Sequence, residues 1–323
     1  MKKKKIPKVQ VNIPTYNNEK TIEKSLYSIV NQSYKNICIK IIDNGSTDAT
    51  LKKIRNLKDK RISITHNKKT RGMFNLAKAY NDCKASFLCV YHSDDIYHKD
   101  IIKEQINFLN QNKKFILVST KAKIINENDK IIGFTNNGLS KYVFKNQIEL
   151  LKEIFNNYNI INCPTVMLNN KLLNSKKVSW NIKKFGNSAD LDFYIKLLEL
   201  GHIKILNNYL CSIRVTKDQL TNKERTKIKK SDFLKVIDYY LNKKNLKKKY
   251  NQNDYKNILL LKLRDQIRIL HNLQSNKKKF DKTLDKVKFF CLIKSIKFSK
   301  RFFYTALSLI FFKFKRYLNL NLI

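Results

Sequence analysis

The sequence predicts an α/β fold in which helices flank a mixed, mostly parallel sheet, followed by a helical and basic C-terminal extension. Short apolar runs alternate with helix-period segments as far as Asn110, which is typical of right-handed β–α–β crossovers. Polar clusters follow three of the predicted strands, so they should meet at one edge of the sheet, outside its carboxyl ends. Strand patterns stop near Lys217, and we therefore expect one domain over residues 1–216 and a second over 217–323.

Each predicted element of the first half rests on a local pattern. Alternation from Val9 to Ile13 predicts the first strand, which we expect to stop at Pro14. Apolar residues at helical spacing predict a helix from Glu19 to Asn31, with Asn17 or Asn18 as its cap. Similar patterns predict the other elements, namely strands Ile37–Ile42, Arg61–His66 and Phe87–His92, and helices around Leu51–Leu57, after Gly72 and over Asp100–Asn110.

Beyond Phe115 the pattern is less regular. A hairpin is predicted over Ala122–Phe134, and a helix over Asp190–Leu200 that Gly201 ends. The remaining predictions are strands Phe115–Ser119, Asn162–Leu168, Ile203–Leu206 and Leu210–Val215, and helices Gln147–Phe155, Phe233–Leu241 and Asp254–Leu273.

The net charge is +42, from 67 Lys and Arg against 25 Asp and Glu. A charge of this size indicates a polyanionic partner, which could be nucleic acid, an anionic membrane or a phosphorylated substrate. The chain is also rich in Lys, Asn and Ile, whose codons are A/T-rich, so genome composition could supply many surface lysines. The distribution of the charge is therefore more informative than its total.

Several classes of protein are disfavoured by the sequence. The six cysteines form no C-x-x-C pair, so we interpret them as reduced core residues rather than as disulfides or a zinc site. The six glycines form neither G-x-G-x-x-G nor a P-loop, which argues against dinucleotide oxidoreductases and P-loop ATPases. No apolar run reaches the about 18–20 residues that span a bilayer. We also expect no signal peptide, because Ile6–Thr15 contains two prolines and several polar residues.

The most informative stretch is Phe87–Tyr97, an apolar run that leads into two adjacent carboxylates, Asp94 and Asp95. Such a run predicts a buried parallel strand, and ligands of open α/β sheets bind where these strands end. The alternative is that the acids only end the strand, since acids are common turn residues. The polar clusters at Thr15 and Asp43, after neighbouring strands, favour a functional site.

Four successive motifs resemble those of family 2 glycosyltransferases with the Rossmann-like GT-A fold: Ile13–Asn18, Ile41–Asp48, Tyr91–Asp95 and Ser188–Gly201. Each motif alone is weak, but their order and spacing are specific, and the resemblance covers about residues 8 to 215. It implies an inverting transfer of a sugar from a nucleotide-diphosphate donor, which we expect to be UDP-linked, to a hydroxyl of a growing surface or lipid-linked glycan. The alternative is a non-catalytic relative that binds nucleotide or acts as a scaffold in glycan assembly.

The resemblance implies a divalent cation, Mn²⁺ or Mg²⁺, held by Asp94 together with Asp95 against the donor diphosphate. The family usually has Asp-x-Asp-Asp here, whereas His92 replaces the first acid in this chain. The residues that the resemblance assigns to the nucleotide are Pro14, Thr15, Tyr16, Asp43, Asn44, Arg71 and Ser93. Tyr16 is expected to stack on the base, with ordinary loop packing as the alternative, and Arg71 is expected near the diphosphate, with a solvated surface side chain as the alternative.

The resemblance assigns the general base to Asp190, at the start of the predicted acidic helix. An inverting transferase needs one carboxylate to deprotonate the acceptor hydroxyl. The family usually has Glu-Asp at this point, and here Ala189 precedes Asp190. Asp192 is the competing choice, although the spacing to Gly201 favours Asp190. The alternative for both acids is stabilisation of a helix N-terminus, worth ~0.3–1 kcal/mol.

The segment Lys277–Arg316 has many more Lys and Arg than its two acids, Asp281 and Asp285, and several phenylalanines. This composition is typical of a helix that lies on a membrane surface; packing on the enzyme or on a partner chain, and nucleic-acid binding, are the alternatives. We favour an anionic membrane, and hence a cytoplasmic protein on the inner face of the cytoplasmic membrane. Nucleic acid is disfavoured because acids line the predicted sheet edge and repel phosphate unless a cation intervenes.

Overall fold

The computed structural model describes residues 8–67, 72–175, 178–216, 219 and 225–273, and five single positions after them (279, 281, 307, 308 and 311). The chain divides into two units, Met1–Lys217 and Asp218–Ile323. Arg71 and nearly all of the predicted basic tail lie outside the described residues. Within the described ranges, no helix is both long and apolar enough to cross a membrane.

The described part of the first unit is one sheet with helices on both sides. Its elements follow in the order β1 (Val9–Thr15), α1 (Ile22–Val30), β2 (Ile37–Asp43), α2 (Thr50–Asn56), β3 (Ile62–His66), α3 (Met73–Asn81), β4 (Phe87–Val90), β5 (Ile96–Tyr97), α4 (Ile101–Gln111), β6 (Phe115–Ile125), β7 (Ile131–Phe134), β8 (Val143–Phe144), α5 (Gln147–Asn157), β9 (Met167–Asn169), α6 (Asn170–Leu173), α7 (Ile182–Phe185), α8 (Ala189–Leu197) and β10 (His202–Arg214). Two short 3₁₀ turns, Cys163–Thr165 and Gly186–Ser188, precede β9 and α8.

The strands pair in the order β3-β2-β1-β4-β9-β6-β10-β5, with β7 added beside β6 and β8 beside β10. The first four strands of this order run parallel to one another. Strand β9 is antiparallel to both of its neighbours, and β10 is parallel to β6. The predicted α/β fold with a mixed, mostly parallel sheet is confirmed.

Alternation along β1 explains why helices cover both faces of the sheet. Val9, Val11 and Ile13 are fully buried in a core that includes apolar residues of α1 and α4. Asn12 faces the other way, and its side chain donates to the carbonyl of Ala79 in α3 at 2.7 Å. A fully buried aliphatic side chain contributes about 1.5–3 kcal/mol, so β1 is firmly held beneath the polar residues that follow it.

Two predictions at the start of the chain are wrong. Strand β1 does not stop at Pro14, because its pairing with β4 ends earlier, at Asn12 opposite Val90. Pro14 lacks a backbone N–H, but β4 no longer pairs with β1 at this position and so no β4 carbonyl is left without a donor. Pairing of β1 with β2 continues to Thr15. Helix α1 has Thr21 at its N-cap, and no side chain caps it. The side chain of Asn18, one of the two predicted caps, instead accepts hydrogen bonds from Thr15, Tyr16 and Ser93.

Two predictions in the second half are also wrong in detail. The predicted strand Asn162–Leu168 begins with a 3₁₀ turn at Cys163–Thr165, which carries Pro164 in its first turn. The two strands predicted between Ile203 and Val215 form one strand, β10, whose register against β6 shifts between Leu206 and Tyr209. This irregularity lies at the gap between the two predicted strands.

In the second unit, helices α9 (Asp232–Leu241), α10 (Lys244–Lys247) and α11 (Gln252–Asn272) are described. The Ser231 side chain caps α9 by accepting from the backbone of Leu234. Asn251 and Asp254 form a capping box at the start of α11. The two longer helices lie where helical spacing predicts them.

Candidate active site

Three of the predicted polar clusters meet at one edge of the sheet. Strand β1 lies between β2 and β4, and Thr15 pairs with Asp43 in register. The backbone N–H of Asn44 donates to the carbonyl of Thr15 at 2.9 Å, and that of Tyr91 donates to Asn12 at 2.9 Å. The carboxyl ends of the parallel strands thus bring these loops together, as the topology requires.

Asn18, which we predicted only as a possible helix cap, joins two of these loops. Its Oδ1 accepts hydrogen bonds from Thr15 Oγ1 at 3.1 Å, Tyr16 N at 3.1 Å and Ser93 Oγ at 2.8 Å. Ser93 Oγ also lies 3.4 Å from the carbonyl of Pro14. The side-chain amide of Asn18 therefore connects the loop after β1, which is assigned to the nucleotide, with the loop after β4, which is assigned to the metal.

Asp43 is buried and oriented by its own loop. Its carboxylate accepts the backbone N–H groups of Gly45 at 3.1 Å and Ser46 at 3.2 Å. His66, at the end of β3, places Nδ1 3.5 Å from Asp43 Oδ2 and is 57% exposed. We did not predict a role for His66. It lies at the end of a predicted strand, as Asp43 does, and that position was the signal by which Asp43 was selected. Asn44 beside it is also buried.

His92, Asp94 and Asp95 form a group whose ligand atoms lie within 4.8 Å of one another. Asp95 is 1% exposed, its Oδ2 has no hydrogen-bond partner among the described residues, and His92 Nδ1 lies 3.7 Å from it. Burial, reinforced by the charge of Asp94, raises the pKa of Asp95 well above its usual range. Burial lowers the pKa of His92. The two carboxylates offer the oxygen ligands that a divalent cation such as Mn²⁺ or Mg²⁺ takes, and the neutral imidazole adds no positive charge that would oppose it.

The two candidate bases differ in environment. Asp192 is 0% exposed, and its carboxylate pairs with Lys196 Nζ at 2.5 Å and accepts from the Asn181 side chain at 3.2 Å. Asp190 is only partly buried, and its Oδ1 accepts the N–H of Leu191 at 2.8 Å. Burial raises the pKa of Asp190 to about 6. A partly accessible carboxylate with this pKa can take a proton near neutral pH, whereas an ion-paired and fully buried one cannot readily do so.

The thiol of Cys163 lies near both predicted sites. Burial raises its pKa to about 12, and the negative charges of Asp190 and Asp95 contribute to the rise. Coulombic effects of this kind weaken with distance, so each of these two carboxylates lies within electrostatic range of the Cys163 thiol.

Arg214, at the end of β10, is a further residue of this edge that we did not predict. Its side chain is 3% exposed. Its Nε donates to the carbonyl of Asp94 at 2.9 Å, and its backbone N–H donates to Asp95 Oδ1 at 2.8 Å. The signal in the sequence is a lone arginine in the apolar end of a predicted strand, since a buried arginine requires partners.

Comparisons with known proteins agree with this geometry. The model of the family described as "Glycosyl transferase family 2" matches residues 10–185. An uncharacterized glycosyltransferase of Haemophilus influenzae is 29% identical over 250 residues, which cover 73% of this chain and 75% of that protein. The Escherichia coli enzyme WfgD, named UDP-Glc:alpha-D-GlcNAc-diphosphoundecaprenol beta-1,3-glucosyltransferase, is 28% identical over 77% of this chain and 97% of its own length. Other relatives are longer, and the chain spans 47% of a Rickettsia conorii glycosyltransferase and 46% of one from Rickettsia felis.

Solved structures show the fold. S. aureus TarS 1–349 in complex with UDP-GlcNAc has a TM-score of 0.58 at 16% identity, covering 93% of this chain and 89% of that chain. The Pyrobaculum calidifontis mannosyltransferase PcManGT, in complex with GDP-Man and Mn²⁺, has a TM-score of 0.55 at 13% identity, covering 97% of this chain and 88% of that chain. The predicted GT-A fold is confirmed. Because the family model extends over more than half of the chain and includes the strand ends that build the site, this protein is a glycosyltransferase that belongs to glycosyl transferase family 2.

Proposed function

We propose that this glycosyltransferase moves a hexosyl or N-acetylhexosaminyl group from a UDP-linked donor to a hydroxyl of a growing surface or lipid-linked glycan, with inversion at the anomeric carbon. The observation that carries the proposal is the group of His92, Asp94 and Asp95, whose ligand atoms lie within 4.8 Å of one another. This group offers a donor diphosphate a site for a divalent cation. Asp190, a partly buried carboxylate whose pKa burial raises to about 6, offers a base to the acceptor hydroxyl.

The donor would lie across the ends of β1, β2 and β4. Tyr16 offers an aromatic face to the base. Asp43, whose carboxylate is oriented by two backbone N–H groups, retains lone pairs that can accept from a uracil-type edge. Asp94 and Asp95, with His92, would hold the divalent cation, and this cation would supply positive charge against the diphosphate leaving group.

Asp190 would act as the general base. A single displacement requires one carboxylate that accepts the proton of the acceptor hydroxyl as its oxygen attacks the anomeric carbon, and the nucleoside diphosphate leaves from the opposite face. A general base works best when its pKa is near the operating pH, and the pKa of about 6 for Asp190 meets this condition. Asp192 is engaged with Lys196, which supports the choice of Asp190.

The names of the relatives support the substrate class. WfgD is named for a UDP-linked glucose and a diphosphoundecaprenol-linked acceptor, and the TarS structure contains UDP-GlcNAc. A lipid-linked acceptor would place the enzyme at the inner face of the cytoplasmic membrane. The basic composition of Lys277–Arg316 supports this location, since basic residues near an anionic leaflet contribute ~1 kcal/mol each.

A donor panel tests the catalytic proposal. The full chain is incubated with Mn²⁺, a diphosphoundecaprenol-linked sugar and, in turn, UDP-Glc, UDP-GlcNAc, UDP-Gal and GDP-Man, and the released nucleotide and the anomeric configuration of the product are measured. We expect release of UDP from one UDP-sugar and an inverted linkage. Binding of UDP without turnover of any donor would identify a non-catalytic relative, and turnover of GDP-Man alone would refute the UDP assignment.

Vesicle sedimentation tests the proposed location. The full chain is mixed with phosphatidylglycerol-containing or pure phosphatidylcholine vesicles at low and high salt. We expect binding to the anionic vesicles that weakens with salt, because screening reduces the attraction between exposed charges. Equal distribution between the two kinds of vesicle at low salt would contradict a charge-driven membrane surface.

A further inference from the structure

Arg214 is a buried guanidinium with an unusual set of partners. Its side chain is 3% exposed and pairs with Asp129 at 2.5 Å between Nη2 and Oδ1. Its Nη1 donates to the carbonyls of Asn126 at 3.0 Å and Glu127 at 3.3 Å, and its Nε donates to the carbonyl of Asp94 at 2.9 Å. A guanidinium presents its donors in a rigid fork. This fork connects two segments, the tip of the β6–β7 hairpin and the loop after β4.

The contacts on the loop after β4 reach both acids of the candidate metal group. The arginine side chain holds Asp94 by its carbonyl rather than by its carboxylate. The backbone N–H of the same arginine holds Asp95 by Oδ1 at 2.8 Å, and Oδ2 of Asp95 has no hydrogen-bond partner among the described residues. Arg214 therefore fixes the backbone and one carboxylate oxygen of the loop while it leaves Asp95 Oδ2 for another partner.

The hairpin end of this connection is itself anchored. Asp129 pairs with Lys24 of α1 at 2.5 Å between Oδ2 and Nζ as well as with Arg214. Hydrogen bonds from Lys24 and Arg214, together with the charges of these cations, lower the pKa of Asp129, so it stays ionised and opposes the charge of the arginine. The remaining bonds of Arg214 to the hairpin go to backbone carbonyls, which a mutation of side chains there cannot remove.

We propose that Arg214 is a positioning residue for the nucleotide-sugar site: it holds the Asp94–Asp95 loop against the β6–β7 hairpin so that the two carboxylates converge on a divalent cation and the donor diphosphate. This inference rests on the proposed function. Arg214 would act through the Asp94–Asp95 loop and would touch neither the substrate nor the cation. Loss of partners that orient metal ligands typically weakens metal affinity about 10–100-fold, and the same range is expected here.

The test is Mn²⁺ binding by the full-length R214K variant, measured by titration calorimetry with Mn²⁺ alone and with Mn²⁺ and UDP together. Lysine keeps the charge but lacks the fork. We expect the Mn²⁺ Kd to rise by at least about tenfold, and KM for the donor to rise more than kcat falls. R214K binding Mn²⁺ and UDP as tightly as wild type would overturn the proposal.

Arg268 of α11 provides a matched control, because its guanidinium also bonds one carboxylate, that of Asp265 at 2.9 Å, and backbone carbonyls including that of Lys229 at 2.6 Å. R268K should leave the Mn²⁺ Kd unchanged, and an equal rise in both variants would show a general loss of structure and overturn the proposal. If R214K does not fold, D129K decides, since it keeps Arg214 but sets a second cation against its guanidinium in place of the carboxylate; a raised Kd supports the role, and an unchanged Kd refutes it. Failure of the wild type itself to bind Mn²⁺ would instead refute the metal part of the proposed function, and this inference with it.

Discussion

Replacing Asp190 with asparagine should stabilise the protein while it greatly slows transfer. Burial raises the pKa of Asp190 from 3.8 to about 6, and each pKa unit corresponds to about 1.4 kcal/mol between the two protonation states. The ionised carboxylate therefore lowers the free energy of unfolding by about 3 kcal/mol at neutral pH. We expect D190N, which does not ionise, to be more stable than wild type by up to that amount above about pH 7.

The sign of the pH dependence follows from the direction of the pKa shift. Between about pH 4 and pH 6 the folded protein binds this proton and the unfolded chain does not, so the contribution of Asp190 to stability falls as pH rises through that window. The stability difference between D190N and wild type should therefore vanish at and below about pH 4. Urea unfolding of both proteins at a series of pH values measures it.

Activity measurements complete the test of Asp190. A general base contributes about 10²–10⁴-fold to the rate, so UDP release by D190N should fall by that factor while UDP affinity persists. The kcat/KM of the wild type should decline below about pH 6. D192N is the matched control: loss of the ion pair between the buried Asp192 and the partly exposed Lys196 should destabilise the protein at pH 7, by about 2 kcal/mol for a lost charge-assisted hydrogen bond. A D190N variant that is less stable than wild type at pH 8, or that still transfers sugar at the wild-type rate, would refute the reasoning.

Three further predictions concern single positions. D94N should abolish Mn²⁺ binding measured by calorimetry and, like EDTA added to the wild type, should stop turnover; full turnover in EDTA would remove the cation from the mechanism. Y16A should weaken UDP binding by about 1 kcal/mol, or roughly fivefold, through loss of stacking, whereas Y16F should bind as wild type; equal affinities of Y16A and Y16F would exclude stacking. G201A should lower the melting temperature, because a Cβ there would lie 2.6 Å from the backbone carbonyl of Lys114, and an unchanged midpoint would show that the backbone can shift without loss.

The strand ends were predictable because their signals are local. Each is an apolar run followed within a few residues by polar side chains, and parallel pairing then requires the ends to meet. The loops at Thr15, Asp43 and Asp94 needed no knowledge of distant contacts beyond the topology. The same locality explains the errors. The pairing of Pro14 depends on how far β4 extends, and the continuity of β10 depends on its register with β6.

Arg214 and Asn18 could not be assigned from the sequence because their partners are remote. Arg214 reaches Asp94 and Asn126 across 120 and 88 residues, and Asn18 reaches Ser93 across 75. Local patterns indicated only that Arg214 is part of a strand and that Asn18 could cap a helix. The sequence favoured Asp190 over Asp192 by its spacing to Gly201, and the folded chain adds that Asp192 is fully buried and paired with Lys196.

The adjacent acids Asp94 and Asp95 occupy different environments. This difference explains how one of the two carboxylates can fix the loop while the other stays accessible to a ligand. Asp95 is buried and gives one oxygen to the Arg214 backbone, whereas Asp94 is more exposed and gives the arginine side chain only its carbonyl. Burial lowers the pKa of His92, so its imidazole stays neutral. The group then carries at most two negative charges, which a divalent cation would balance. His92 therefore keeps a nitrogen donor in the group without adding a third negative charge.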